Sequence, residues 1–260
     1  AWRRAAVARP MLLSLASSCP FSGPDMPGPV QSNGMSSAAA ALQMLERRQA
    51  VLANNLANAS TRGFKAEVAF SRMMDNALAA TDTAVNLEAG SYTQTHNPLD
   101  LAIEGDGFFV VRTPGGERFV RNGTFQLNAD RQLVDAKGNL VLGEDGNGIT
   151  IPAGQLEIDA SGQVSVNGKP LQRLKVERVA PGSDLQHEGG THFVPDASRQ
   201  VVPPNEREVK QGFVEESNVN TLSAMTDMIS VLHRYSAAQK VLTNLDAARE
   251  IAVTDLARPV

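Results

Sequence analysis

The chain has 260 residues, a formal net charge of −4 at pH 7 and one cysteine. This length suffices for one large or two small domains with their own cores. Because the chain is acidic and its Lys and Arg residues are scattered, we expect no nucleic-acid partner bound through its phosphates. Cys19 alone excludes an internal disulfide and a thiolate metal cluster. No run of about 18 apolar residues occurs, so no membrane-spanning segment is predicted.

Residues 1–34 are predicted to be a disordered or non-native leader. The segment 2–19 resembles a short secretory signal, but its apolar core of about six residues is shorter than the roughly 7–15 that such signals have. A lipoprotein with Cys19 as the lipidated residue is one alternative. We favour the leader interpretation because the first residue is not Met, and Met26 and Met35 are both plausible starts.

An amphipathic helix is predicted over residues 36–59. Its apolar residues recur with the three-four spacing of a heptad pattern, which is typical of helices that pair with other helices. They are Met35, Ala38, Leu42, Leu45, Leu52, Leu56 and Ala59, with Gln49 in the one polar slot. Ser36 or Ser37 can cap the start. Gly63 can adopt the positive φ needed past a helix end, with Phe64 folding back onto the last turn. We assign residues 35–65 to this N-terminal helix and its exit.

Residues 66–97 are predicted to form an extended arm. They begin with a short helical pattern around Phe70, Met73, Met74 and Leu78 and continue as a polar, Thr-rich run. The polar run has no periodicity that would require a core.

A β-rich body is predicted over residues 98–204. Between residues 99 and 179 the apolar pattern has period two, with turn residues recurring roughly every eight to twelve positions, as in antiparallel β-proteins. We expect the glycine-rich strings at 105–107 and 114–117 to be hairpin turns, and Asn167-Gly168 to be another. Residues 181–204 read as loop with one or two edge strands, and residues 205–217 as an extended return arm.

A second long helix is predicted over residues 218–260, capped by Ser217 or Asn218. Its apolar residues fit two overlapping seams. The first seam comprises Leu222, Met225, Ile229 and Leu232, and the second comprises Met228, Val231, Tyr235, Ala238, Leu242 and Leu245. A helix with two apolar seams contacts more than one neighbour. The fold class is therefore mainly β, with an antiparallel central domain flanked by terminal helices that pair in a coiled-coil layer.

No pattern in the sequence indicates catalysis, a cofactor or a bound metal. His187 and His192 lie in a Gly-rich segment without an acidic cluster, so a solvated loop is favoured over a metal site. The glycine-rich strings lack the following helix that a phosphate cradle requires, and the string at 145–148 lacks the spaced ligands of a calcium loop. A hydrolase would need a paired carboxylate or an activated nucleophile, and neither is visible. We predict a protein that is not an enzyme.

The string at 54–65, Asn-Asn-Leu-Ala-Asn-Ala-Ser-Thr-Arg-Gly-Phe-Lys, closely resembles the N-terminal signature of bacterial flagellar rod and hook proteins. The strings at 97–103, 105–109 and 121–127 are similar to the start of the β-domain of that family. The string at 216–220, with Met225 and Tyr235 after it, is similar to its C-terminal helix.

This resemblance implies a structural subunit of the flagellar basal-body rod, most like the proximal rod member by its length and single β-rich body. Such proteins lack a cleaved secretory signal, pass through the flagellar type III export apparatus and join other rod subunits in a tubular drive shaft across the periplasm. The alternative is a periplasmic β-rich binding or adhesion module.

The predicted assembly interface follows the heptad seams and the signature strings. It comprises Leu42, Leu45, Leu52, Asn55, Leu56, Asn58, Gly63, Phe64, Asn218, Val219, Leu222, Met225, Met228, Ile229, Leu232, Tyr235, Leu242 and Leu245.

Overall fold

The computed structural model describes residues 33–74, 77–180, 185–195 and 198–256. Within these residues the chain forms two α-helices, eighteen β-strands and one 3-10 helix. Helix α1 spans Asn33–Ala57 and helix α2 spans Thr221–Leu256. The predicted mainly β fold with a helix near each end is confirmed. Our predictions for residues 1–32, including the signal-like segment and Cys19, lie outside the described residues.

The strands are numbered in chain order. They are β1 (Glu67–Met74), β2 (Ala77–Val85), β3 (Tyr92–Gln94), β4 (Leu101–Glu104), β5 (Phe108–Thr113), β6 (Gly116–Val120), β7 (Gln126–Leu127), β8 (Leu133–Val134), β9 (Leu140–Val141), β10 (Leu156–Ile158), β11 (Gln163–Val166), β12 (Lys169–Arg173), β13 (Val176–Arg178), β14 (Gln186–His187), β15 (His192–Val194), β16 (Gln200–Val201), β17 (Glu208–Gln211) and β18 (Phe213–Glu215). The 3-10 helix spans Pro204–Glu206.

Strand β5 lies at the centre of a sheet that has nine strands in the described part of the chain. It pairs with β6 along one edge and with β13 and β9 along the other, always antiparallel. Strands β10, β11 and β12 form a separate antiparallel sheet, and the pairs β17–β4 and β18–β3 bring the return strands beside the first body strands. The predicted Asn167-Gly168 hairpin joins β11 to β12, with φ of 52° and 74° at its two residues.

Two hydrophobic cores lie on opposite faces of β5, because successive side chains of a strand point to opposite faces. Phe109 and Val111 face the larger core, which also receives side chains from β4, β11 and β17. Phe108 and Val110 face the smaller core, with Phe119 and Phe193 among its members. Burial on both faces explains why this strand reads as an unbroken apolar run.

The helical pattern predicted around Phe70, Met73, Met74 and Leu78 is wrong. Residues 67–74 form β1 and residues 77–85 form β2, an antiparallel hairpin in which Glu67 is opposite Val85. A helix of so few residues is marginal by itself. The Thr- and Val-containing partner strand pairs with the same backbone, with one irregularity between Arg72 and Met74.

Two loop predictions also need correction. Strands β4 and β5, on either side of residues 105–107, are not paired with each other, because β4 pairs with β17. This string is therefore a crossover loop and not a hairpin turn. The segment 181–204, predicted as loop with one or two edge strands, contains β14, β15 and β16, and β15 lies inside the large sheet between β14 and β6.

Neither described helix has the length and apolarity needed to cross a lipid bilayer.

Candidate assembly site

The exit of α1 is held by two asparagines with different partners. Asn55, which is buried, exchanges two hydrogen bonds with the backbone of Glu67: its Nδ2 donates to the carbonyl oxygen (2.7 Å) and its Oδ1 accepts from the amide (2.9 Å). Asn58 bonds locally, donating to the Asn54 carbonyl at 3.0 Å and accepting from the Thr61 hydroxyl at 3.3 Å. The helix therefore ends at Ala57, two residues before the predicted end, because these side chains offer the backbone another route.

Gly63 passes very close to the body. Its φ is 66°, and a Cβ added there would lie 2.6 Å from the Cα of Asn122. Its amide donates to the carbonyl oxygen of Glu215 at 2.7 Å. Phe64, predicted to fold back onto α1, is buried and stacks on the ring of His187, with 5.5 Å between the centroids. The predicted positive φ is confirmed, and its cause is this close approach.

The start of α2 is capped by Asn220, whose Oδ1 accepts from the amide of Ser223 at 3.0 Å. The predicted caps, Ser217 and Asn218, are therefore wrong. Asn218 instead links three segments, because its Oδ1 accepts from Ala66 N at 2.7 Å and its Nδ2 donates to the carbonyl oxygens of Asn86 and Glu88, each at 3.0 Å. It ties the residues before α2 to both sides of the β1–β2 hairpin.

A buried group of three charged residues, here named the ion triad, joins these segments to the body. It consists of Lys65, Arg121 and Glu215, each at most 3% exposed. Lys65 Nζ lies 2.7 Å from Glu215 Oε1, and Arg121 Nε bonds to Glu215 Oε2. Glu215 thus pairs with residues 150 and 94 positions away in the sequence.

The triad has two cations and one carboxylate, and backbone carbonyl oxygens accept further hydrogen bonds from both cations. Lys65 also donates to the carbonyl of Glu88 at 2.6 Å. Arg121 donates to the carbonyls of Ile103 and Gly105, both at 2.8 Å, and to that of Gly107. Burial lowers the pKa of Lys65, against the opposing effect of the Glu215 carboxylate. The crossover loop at 105–107 therefore forms part of the site, as the acceptor for Arg121.

The solvated-loop prediction for His187 and His192 is wrong. His192 is buried, and its Nε2 lies 2.8 Å from Asp135 Oδ2. His187 lies between the rings of Phe64 and Phe193, and neither ring nitrogen has a hydrogen-bond partner within the described residues. Burial lowers the pKa of His187, against opposing effects from the Glu67 carboxylate, 3.6 Å away, and from the backbone of Gly190 and Lys65.

No cluster of three or more His, Cys, Asp or Glu side chains suited to a metal ion occurs in the residues that the structure describes.

Helix α2 contacts α1 through Tyr235, a residue of the second predicted seam. Val231 is 2% exposed, and Ala224 and the α1 residue Val51 are also buried. The Tyr235 hydroxyl bonds to Glu46 at 3.0 Å. Since α1 runs towards the body and α2 runs away from it, the pairing is antiparallel.

The other predicted interface residues fall into three groups. Asn55, Gly63 and Phe64 are buried by the chain's own residues. A second group is partly buried and comprises Leu42, Leu45, Leu52, Leu56, Asn58, Asn218, Val219, Met228, Tyr235 and Leu242. The third group, the exposed seam, comprises Leu222, Met225, Ile229 and Leu232, with exposed fractions of 72%, 49%, 55% and 44%. Leu245 further along α2 is also exposed.

The sequence did not reveal the ion triad. Its members are separated by up to 150 positions, so no local spacing relates them. The available signal was that each charged residue lies within or beside a string resembling the flagellar family.

Three family models match successive parts of the chain. The model described as "Flagella basal body rod protein" matches residues 35–65, "Flagellar hook protein FlgE/F/G D1 domain" matches residues 102–166, and "Flagellar basal body rod FlgEFG protein C-terminal" matches residues 210–253. Each matched segment contains one member of the ion triad.

Whole proteins of similar sequence bear the same description. The flagellar basal-body rod protein FlgF of Salmonella typhimurium is 36% identical over 233 residues, covering 80% of this chain and 91% of that protein. FlgF of Mesorhizobium japonicum is 31% identical over 232 residues, covering 84% and 95%. The flagellar basal-body rod protein FlgG of Bacillus subtilis is 30% identical over 233 residues, covering 75% and 88%.

Proposed function

Since this chain belongs to the family of flagellar basal-body rod and hook proteins, we propose that it is a rod subunit of the proximal type that polymerises through the exposed seam of α2. It is a structural subunit of the basal-body rod and not an enzyme. The relatives do not favour the alternative of a periplasmic binding or adhesion module. The proximal assignment rests on the length of the chain and on its single β-rich body.

This proposal rests on the difference in exposure between the two apolar seams of α2. The second seam contains the buried Val231 and also Tyr235, which bonds to Glu46 of α1. The exposed seam of four large apolar side chains contacts no other described element closely enough to be buried. Burying a large apolar side chain fully contributes roughly 1.5–3 kcal/mol. Even partial burial of four such residues would therefore stabilise a contact with a terminal helix of another rod subunit.

A contact between this seam and a different face of the next subunit is heterologous, which gives a ring or an open helical array and not a two-fold dimer. Membership of the rod family favours the helical array. Torque would then pass through interlocked helices. We propose that α1 and α2, the helices of the predicted segments 35–65 and 218–260, form this helical layer. The body of residues 98–204 would face outward, with residues 66–97 and 205–217 as its connecting arms and residues 1–34 as a leader.

The buried members of the predicted interface then have an indirect role. Asn55, Gly63 and Phe64 hold the helix exit, and their partners lie within the same chain. They set the position of the helices that make the intermolecular contacts. We further propose delivery through the flagellar type III export apparatus without a cleaved secretory signal, into a rod that spans the periplasm.

The variant Ile229→Asp tests the assembly role. A carboxylate on the exposed seam would have to be buried on assembly, which is costly, so we expect polymerisation to fail in sedimentation experiments. Circular dichroism should show an unchanged β-rich body. Ser230→Asp is the matched control, because it places the same charge one residue away and off both seams. Polymer formation by Ile229→Asp equal to that of the control would reject the proposal.

A further inference from the structure

We propose that Glu215 is a positioning residue, which fixes the directions of both terminal helices by joining the exit of α1 and the approach to α2 at one point of the body. This inference goes beyond polymerisation, because it concerns the geometry of the isolated chain.

Glu215 is bonded to several separate segments of the chain. Both the side chain and the backbone of Glu215 receive the N-terminal segment: Lys65 binds the carboxylate at 2.7 Å, and Gly63 N donates to the carbonyl oxygen at 2.7 Å. The arm following β2 also converges here, because Gly90 N donates to Oε1 at 2.9 Å. Arg121 adds the body. One residue thus links four separate stretches of chain.

Glu215 also supplies the negative charge of the ion triad. Two buried cations share the single Glu215 carboxylate, and their remaining donors are directed to carbonyl oxygens. Removing the negative charge would leave Lys65 and Arg121 buried with no carboxylate between them. A buried pair is strongly destabilised when one partner is removed. The segments carrying Lys65 and Arg121 would therefore separate or admit water.

The cores of the body do not need Glu215. Among the residues that the structure describes, every buried member of the two hydrophobic cores lies between residues 101 and 209. Glu177 offers a comparison, because it is equally buried and contacts Lys175 at 3.1 Å and Arg199 at 3.7 Å, both in the body. The two glutamates thus differ in what they connect.

Glu215 lies close to the start of α2, so a small change in direction there is amplified along the helix. Asn220 caps α2 only five positions after Glu215, and Asn218 fixes the residues between them. Helix α2 has 36 residues, so at 1.5 Å per residue it is about 54 Å long. A change of about 5° at its base would move its far end by roughly 5 Å, enough to misplace the exposed seam.

The test measures helix direction in the full chain. Spin labels are placed at Ala237→Cys on α2 and Lys169→Cys on the body, with Cys19→Ser to remove the native thiol, and labelled chain is diluted in unlabelled chain. We expect Glu215→Gln to broaden the label-to-label distance distribution about twofold. Amides of the segments 63–66 and 88–92 should exchange about tenfold faster, while those of β5 stay protected.

Glu177→Gln is the matched control, with the same chemical change at equal burial, and should leave the distance distribution unchanged. Equal broadening in both variants, or none in Glu215→Gln, would overturn the inference. If Glu215→Gln does not fold, the same measurement is made on Lys65→Gln, with the α2 label moved to Gln43→Cys on α1. A broadened distance distribution then supports the inference, and an unchanged distribution rejects it. Since all readouts concern one chain, a failure to polymerise does not affect them.

Discussion

Individual residues in this chain are constrained by contacts between distant segments more than by their sequence neighbours. Gly63 illustrates this, because its positive φ serves a close approach to Asn122. His187 is a second example, because its ring contacts the rings of Phe64 and Phe193.

We predict that Gly63→Ala destabilises the chain far more than Gly138→Ala. Gly138 also has a positive φ, of 84°, but a Cβ there would meet nothing within 4 Å. Gly138→Ala should therefore lower the free energy of unfolding only by the cost of placing Ala in the left-handed conformation, about 1 kcal/mol. In Gly63→Ala the added Cβ must also displace the backbone of Asn122 and disturb the hydrogen bond from Gly63 to Glu215. The free energy of unfolding should therefore fall by roughly 2–4 kcal/mol in total. Urea denaturation measures both, and equal costs would show that close approach is unimportant.

We predict that His187→Phe reduces the loss of stability on acidification. The pKa of folded His187 is lowered by burial, so between that pKa and the ordinary value of 6.5 the unfolded chain binds more protons. Stability is therefore full above about pH 6.5 and falls as the pH drops through this window. Phe keeps the stacking and removes the titration. Unfolding midpoints at pH 7 and pH 5 provide the readout, with His233→Phe, on the exposed surface of α2, as control. An unchanged pH profile in His187→Phe would contradict the prediction.

We predict that Asp135→Asn destabilises the chain by about 2 kcal/mol at pH 7. Burial raises the pKa of Asp135. Hydrogen bonds from His192, Asn139 and Lys137 lower the pKa by a larger amount, so its net value is about 2. Because this pKa lies below the ordinary 3.8, the contribution is present above pH 3.8 and lost as the pH falls towards 2. Denaturation of the variant and the parent chain should therefore differ at pH 7 and converge near pH 2. A difference independent of pH would indicate a packing effect instead.

At the scale of elements, one seam of α2 serves the folding of the chain and the other serves assembly. Substitutions at two adjacent residues test the two roles separately. Val231 of the second seam is buried, whereas Leu232 belongs to the exposed seam. Val231→Ala removes two buried methyl groups and should destabilise the helix pairing by about 1.5 kcal/mol. Leu232→Ala should change the isolated chain by less than about 0.5 kcal/mol and weaken polymerisation. Thermal unfolding and sedimentation of both variants give the two readouts; the reverse pattern would mean that the seams are wrongly assigned.

The elements that the sequence predicted well are those with their own periodicity. The heptad residues of α1 and the hairpin at Asn167-Gly168 are encoded within a few positions, so their patterns are readable. The β1–β2 hairpin was missed because Phe70, Met73 and Leu78 can be read as one helical face, and the decision depends on cross-strand pairing. The ion triad was missed because Lys65, Arg121 and Glu215 meet only when the whole chain is folded.

At the scale of the whole molecule, the segment after α1 and the segment before α2 lie side by side on the body. Strand β3 pairs with β18, and Asn218 bonds to Ala66, so the two connecting arms are joined side by side before the helices begin. A helix that moves relative to the body must therefore break contacts made by the other arm as well. This arrangement suits a subunit whose helices and body must turn together.

The last prediction concerns fragments of the chain. A fragment of residues 98–212 retains every buried residue of both cores but lacks Lys65 and Glu215. Its Arg121 loses the carboxylate that it binds in the full chain, and breaking a buried pair costs about 3–5 kcal/mol. A fragment of residues 61–219, which contains the complete ion triad but neither helix, should be more stable by roughly that amount in urea. Glu215→Gln in the longer fragment should remove most of the difference. If the two fragments unfold at the same urea concentration, the arms contribute nothing to the body, and helix direction must be set by the neighbouring subunits in the rod.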